Sequence, residues 1–358
     1  MNSSKDSNSI DHLFYIYTPS WRENAAGIRV LHYLCDSLNQ AGFSAYLVLH
    51  NPFESKIQTN QKLKTPVLNQ ELVDLHFQLG RIPTVIYSET IPGNPLRASR
   101  VVRYLLNYPG ALGGPSRFKP NELLVSYTKA IKDSSSQDST LLFLPAIKRD
   151  ELPTVKEKDS NLRLIYAGKY RAFVGPPPKV SEYPVTEIYR DGPLRQSRTE
   201  VLDLLSKASV LYLWENSSIA TEAILLDTPC VFIQNEFLGR IIAETELGLE
   251  GITFSNTDAE IEEARRSLPL AMLRYLKAEN EFWDHLNNFI NAHDLHFKKS
   301  LQDAKRIRIP KSKHLINRHR VTLFFALLRN LGLSKALRVT REFTNLRISR
   351  IRNRNEPS

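Results

Sequence analysis

The stretch Val210 to Ile233, VLYLWENSSIATEAILLDTPCVFI, places two carboxylates where they could grip a polar ligand. The apolar run VLYLW predicts a strand, and Glu215 stands at its carboxyl end. Asn216, Ser217 and Ser218 are helix-capping residue types, so a helix is expected to begin there and to carry Glu222 in its early turns. A helix start offers free N–H groups and the positive end of a dipole, which suits a diphosphate. A carboxylate beside it can accept both hydroxyls of a ribose, or hydroxyls of a sugar. A lone Glu on a surface helix is ordinarily solvated or a dipole partner. The flanking strands and the turn at Pro229 favour a site.

A second candidate is Glu89, in the loop SETIPGNPLRAS that follows the apolar run TVIY. At the carboxyl end of a strand it is expected to face a cleft, binding acceptor hydroxyls or serving as a base. A purely structural carboxylate is the competing reading. Among the histidines there is no HExxH; His293 and His296 share a helix face, and without a third ligand a solvated pair is expected. No GxGxxG follows Leu13 to Tyr17, and no GxxxxGK(S/T) occurs, which argues against a nicotinamide dehydrogenase and a P-loop enzyme. A DxD in a suitable loop is also missing, so no metal and no cofactor beyond a nucleotide-sugar substrate are expected.

These residues need elements to hold them. Leu13 to Tyr17, a loop, the helical spacing of Ile28 to Leu38 with Gly42 as its stop, and Ala45 to Leu49 make a βαβ unit and imply a parallel sheet. Strands are expected again at Thr84 to Tyr87, Leu123 to Tyr127 and Leu141 to Leu144, and a helix over VVRYLLN, from Val101 to Asn107. The charged, Pro-containing stretch Lys148 to Ser160 reads as a linker. A second α/β series follows, with strands at Leu162 to Ala167, Val210 to Leu213 and Cys230 to Ile233. Helices are expected around Arg198 to Lys207, Ile219 to Leu226 and Phe237 to Thr245, then from Asp258 to about His293. The fold class is therefore α/β: a Rossmann-like domain over 1–150, a second over 151–297 with a crossing helix, and a tail over 298–358.

At this point the sequence resembles the GT-B glycosyltransferases, particularly the retaining nucleotide-sugar-dependent group of bacterial polysaccharide and lipopolysaccharide biosynthesis. Their pattern of a glutamate, a small-residue turn, Glu-Ala and then Gly-x-Pro is matched by Glu215, Asn216-Ser217-Ser218, Glu222-Ala223 and Asp227-Thr228-Pro229. The spacing between the glutamates is shorter than usual, and Asp227 stands where the family has Gly. The resemblance implies two Rossmann-like domains facing across a cleft. Glu222 would bind the donor ribose, and Glu215 the transferred sugar or its developing charge. It also implies that Lys169 or Arg171 neutralises the leaving diphosphate, with Arg195 and Arg198 as weaker candidates. The loop Asn24 to Arg29, with Gly27, resembles the loop by which the family's first domain approaches donor and acceptor.

Charge divides the chain. Lys298 to Ser358 carries 17 Lys or Arg against 3 Asp or Glu, whereas the other 297 residues carry 31 against 35. The basic tail interleaves apolar residues, among them Phe324, Leu327, Leu328 and Leu331, a pattern suited to reversible contact with an anionic membrane surface. Positive charge confined to a tail makes nucleic acid a poor partner. No apolar run approaches the roughly 20 residues that span a bilayer, and the polar N-terminus does not read as a signal peptide. Cys35 and Cys230 read as small buried hydrophobes, which fits a reducing, cytoplasmic compartment at the inner face of the membrane. Two other functions fit the scaffold: a sugar-nucleotide epimerase, which would act without acceptor, and a non-catalytic nucleotide-sugar or polyanion-binding protein.

Overall fold

The computed structural model describes residues 11–50, 57–112, 114–190, 192, 194–235, 238, 241, 243–298 and 306–309. These divide into two compact units, residues 11–146 with 279–309 and residues 147–278.

The first unit contains β1 (Leu13–Thr18), α1 (Ala26–Gln40), β2 (Ser44–Leu49), α2 (Gln70–Gln78), β3 (Thr84–Ser88), β4 (Arg100–Leu105), β5 (Leu123–Ser126), α3 (Lys129–Ser134) and β6 (Thr140–Leu141). Its strands form one parallel sheet in the order β2-β1-β3-β4-β5-β6. β1, β3 and β4 are buried along their whole length. A strand covered on both faces needs a continuous apolar run, and LFYIY supplies one. The helix expected over Val101 to Asn107 is instead strand β4, paired in register with β3 from Thr84↔Arg100 to Ser88↔Tyr104. Periodicity cannot separate helix from strand in so short an apolar run, and β-branched Val101 and Val102, with β3 and β5 pairing on either side, decide it.

α1 faces the sheet with Val30, Leu31, Leu34, Cys35 and Leu38. It ends at Ala41, and Gly42 takes a left-handed φ of 86°. The last described helix, α8 (Asp258–Lys298), is held by the Asp258–Ala278 stretch in the second unit. Its later turns give Phe282, Leu286, Phe289, Ile290 and Phe297 to the core around Phe14 and Ile16. His293 is fully buried there rather than solvated. Its Nε2 lies 2.8 Å from Thr84 Oγ1, and burial lowers its pKa to about 4, so the ring is neutral. Beyond α8, Ile307 inserts into the core beside Tyr15 and Val73, and Arg306 pairs with Asp74 at 2.7 Å. Pro310 to Ser358, and with it the amphipathic reading of the tail, lies outside the described residues. Among those residues no helix is long and apolar enough to cross a membrane.

The second unit contains β7 (Asp159–Tyr166), α4 (Gly168–Phe173), β8 (Val185–Glu187), α5 (Arg198–Lys207), β9 (Ala208–Leu213), α6 (Ser218–Leu225), β10 (Cys230–Phe232), α7 (Glu244–Leu247) and β11 (Ile252–Thr253). The sheet is parallel, in the order β11-β10-β9-β7-β8. Ser197 opens α5 with a capping box closed by Glu200. The helix expected from Phe237 to Thr245 falls partly outside the described residues, and the short α7 begins at Glu244. Cys35 and Cys230 are both buried and free.

Lys158, just before β7, ties together the ends of two helices. Its Nζ faces the carbonyls of Leu205, Ser206 and Leu226, the last at 2.6 Å, and Thr228 Oγ1 at 2.7 Å. A cation placed at two helix C-termini satisfies carbonyls that no intrahelical donor reaches. Replacing Lys158 by Met should therefore lower stability by about 1–3 kcal/mol, measurable as a fall in the urea midpoint.

Candidate functional site

A doubly wound sheet binds ligands at the carboxyl ends of its strands, where the chain reverses its direction of winding. In the second unit β8 lies on one side of β7 and β9 on the other, so the reversal falls between β7 and β9. Their register runs to Tyr166↔Leu213, which brings the β7–α4 and β9–α6 turns side by side. Glu215 and Gly168 sit in those two turns. Gly168 has φ 47°, and a Cβ added there would lie 2.6 Å from the Glu215 carboxyl carbon and Oε1. The glycine thus serves two ends: it takes a backbone conformation L-residues avoid, and it lets the carboxylate rest on the start of α4. Glu215 itself is 6% exposed.

α4 carries both candidate cations. Arg171 forms a two-pronged ion pair with Glu187 on β8 and lies 5.6 Å from the Tyr189 ring, and this pairing raises its pKa. Tyr189 donates to the same Glu187 at 2.8 Å. Lys169 lies on α4, but its side chain is outside the described residues. Ser217 is the N-cap of α6, yet its hydroxyl makes no capping hydrogen bond, a correction to the role its residue type suggests. Glu222 is 1% exposed, and its Oε1 accepts from Arg198 Nη1 at 2.6 Å. Arg198 also lies 3.7 Å from Glu151, so this guanidinium serves a buried carboxylate network. Its position just after a Ser-capped helix start gave no hint of that, because the partner is distant in sequence.

The first unit repeats the arrangement. β2 and β3 flank β1, so the winding reverses between β1 and β3. At those strand ends lie Tyr17 and Thr18, whose buried hydroxyls have no hydrogen-bond partner among the described residues, and Glu89, 2% exposed. Glu89 Oε2 accepts from the Leu106 N–H at 2.9 Å, and Gly27 on α1 packs near the Leu106 side chain. Burial raises the Glu89 pKa to about 7, against the opposing pull of that N–H and of Arg103. Gly114 crosses behind the turn: at φ 89°, a Cβ there would lie 2.8 Å from Glu89 O. The structure therefore places Glu215, Asn216, Ser217 and Ser218 at one switch point, with Lys169 in the first turn of α4, Arg171 turned to Glu187 on β8, and Glu222 on α6. Glu89 and Gly27 lie together in the other unit.

The chain resembles glycosyltransferases in fold. Three solved structures illustrate the likeness. An O-GlcNAc transferase of Thermobaculum terrenum is 12% identical, with 80% of this chain and 68% of that one covered and a TM-score of 0.49. WaaG, a glycosyltransferase involved in lipopolysaccharide biosynthesis, is 14% identical, with 79% and 99% covered and a TM-score of 0.37. An alpha-glucosyltransferase in complex with UDP and a 13-mer DNA is 11% identical, with 79% and 98% covered and a TM-score of 0.38. No family model matches the chain, and no curated protein does. Each unit is by its own topology a Rossmann-like half.

One group of side chains among the described residues could hold a metal ion: His12, His293 and Asp294, with ligand atoms within 4.8 Å of one another. They lie at the amino end of the first sheet, away from Glu89. They already bond to each other, with His12 Nε2 at 2.8 Å and His293 Nδ1 at 3.0 Å from one Asp294 oxygen.

The seat of Glu215 is a tight constraint in the second unit. Gly168→Ala should cost about 1–3 kcal/mol in stability from the left-handed backbone alone. It should also displace Glu215, read as a lowered melting temperature together with altered Glu215 density in a crystal structure of the variant.

Proposed function

We propose that the chain is a glycosyltransferase that moves a sugar from a nucleotide-diphosphate donor to a saccharide or lipid-linked acceptor. The observation that carries this reading is the meeting of Glu215, Gly168 and the α4 and α6 starts at the switch point of the second sheet. In this reading the α6 start and Lys169 bear the diphosphate, because the charge of Arg171 is already compensated by Glu187. Glu215 faces the transferred sugar and the positive charge that develops on it. Glu222, oriented by Arg198, takes the ribose hydroxyls.

The acceptor side belongs to the first unit. Glu89, titrating near neutrality, is suited to take the proton of an acceptor hydroxyl, and the unbonded hydroxyls of Tyr17 and Thr18 are suited to a polyol. A base in this position is the arrangement an inverting transfer requires, and retention is the outcome the glutamate motif implies by resemblance. The basic composition of 298–358 supports an acceptor at an anionic membrane surface, as in surface polysaccharide or lipopolysaccharide synthesis. Cations around the diphosphate would allow transfer without a divalent metal.

A panel of UDP-, GDP-, ADP- and TDP-sugars tests this directly, with release of the nucleoside diphosphate as the readout. At least one donor should bind and be slowly hydrolysed. Glu222→Gln, which keeps an acceptor for Arg198, should weaken that donor by about 1–3 kcal/mol through the lost charged hydrogen bonds. If no donor binds, or if Glu222→Gln and Glu215→Gln both act like the parent, the assignment fails. A base works as its carboxylate, so transfer should rise with pH through about 7, the raised pKa of Glu89. In Glu89→Gln the rate should drop by about 100-fold or more and lose that limb.

A further inference from the structure

Arg103 lies in the middle of β4 with its side chain 1% exposed, a costly place for a permanent cation. Four hydrogen bonds occupy it. Nε and Nη2 donate to Glu122 Oε2 at 3.1 and 3.0 Å, Nη1 donates to Ile91 O at 2.7 Å, and Nη2 donates to Gly93 O at 2.8 Å. The Tyr87 and Phe118 rings lie 5.1 and 5.2 Å from the guanidinium carbon. Both carbonyls belong to the turn that leaves Glu89. The same turn is held further along by Tyr87, whose hydroxyl donates to Asn94 Oδ1 at 2.9 Å and accepts from Leu96 N–H at 3.0 Å.

Stability alone does not call for this arrangement. Well-packed hydrocarbon in place of a buried ion pair is commonly neutral or stabilising. A hydrocarbon, however, could not bind the two loop carbonyls. We infer that Arg103 is a positioning residue: it fixes the Ile91 and Gly93 carbonyls, and so holds Glu89 in the turn where Oε2 meets the Leu106 N–H. Its charge also opposes the effect of burial on the Glu89 carboxyl. The inference rests on the reading of Glu89 as the acceptor-side base.

The test uses the full chain and the nucleotide sugar identified by the panel, with kcat, KM and the pH profile as readouts. Arg103→Met combined with Glu122→Met removes the pair without leaving a buried charge alone. The folded double variant should keep its KM for the nucleotide sugar and lose about 10- to 100-fold in kcat through misplacement of Glu89. Its acid limb should move to higher pH, because a cation that favoured the carboxylate is gone. A merely structural role would lower the melting temperature and leave that limb in place. Parent-like kcat and acid limb in the double variant, with Glu89→Gln impaired, overturn the role of Arg103. Full activity in Glu89→Gln instead overturns the base reading, and this inference with it. If the double variant does not fold, Arg103→Lys decides: it keeps a charge but not the fork, so kcat should fall with the acid limb near its original pH, and an unchanged kcat refutes the inference.

Discussion

Where two parallel strands lie side by side but their following helices leave in opposite senses, the sheet opens a gap that its own chain does not fill. Both units of this protein place a buried carboxylate at that gap, Glu215 beside β7 and β9, and Glu89 beside β1 and β3. A carboxylate in so little solvent must be held by donors or yield its charge. Much of the surrounding detail follows from meeting that demand. Gly168 and Gly114 give up side chains so that the backbone can close around the two acids.

The two sites meet the demand differently. In the second unit Glu215 rests against the glycine at the start of α4, and the acids around it are matched by side chains: Arg198 meets Glu222, and Arg171 meets Glu187. Such pairs hold both partners in a fixed geometry. In the first unit Glu89 receives an N–H from Leu106, with Arg103 acting on it through the backbone and at a distance, and its proton is correspondingly easy to gain or lose near neutrality.

Much of this was legible in the sequence, and its failures have physical causes. Continuous apolar runs marked β1, β9 and β10, because a strand covered on both faces has no room for alternation. The same rule hid β4, since VVRYLL is as consistent with a buried helix as with a strand. Its lone arginine was the available sign of a buried pair, but Glu122 is too far along the chain to be named from spacing. Residue type suggested capping at Ser217, which the hydroxyl does not perform. His293 looked like half of a solvated pair because its partner Thr84 lies on another element, reached only once α8 packs on the sheet.

α8 also sets an order of events. Phe282, Leu286, Phe289 and Phe297 complete the core that Phe14 and Ile16 begin, although the whole second unit is encoded between them. A chain made from its amino end therefore carries an unfinished first sheet until nearly 300 residues have been synthesised. During translation the β1–β6 sheet would expose an apolar face until the later turns of α8 emerge. A ribosome stalled after β11 would hold a first unit still waiting for its cover.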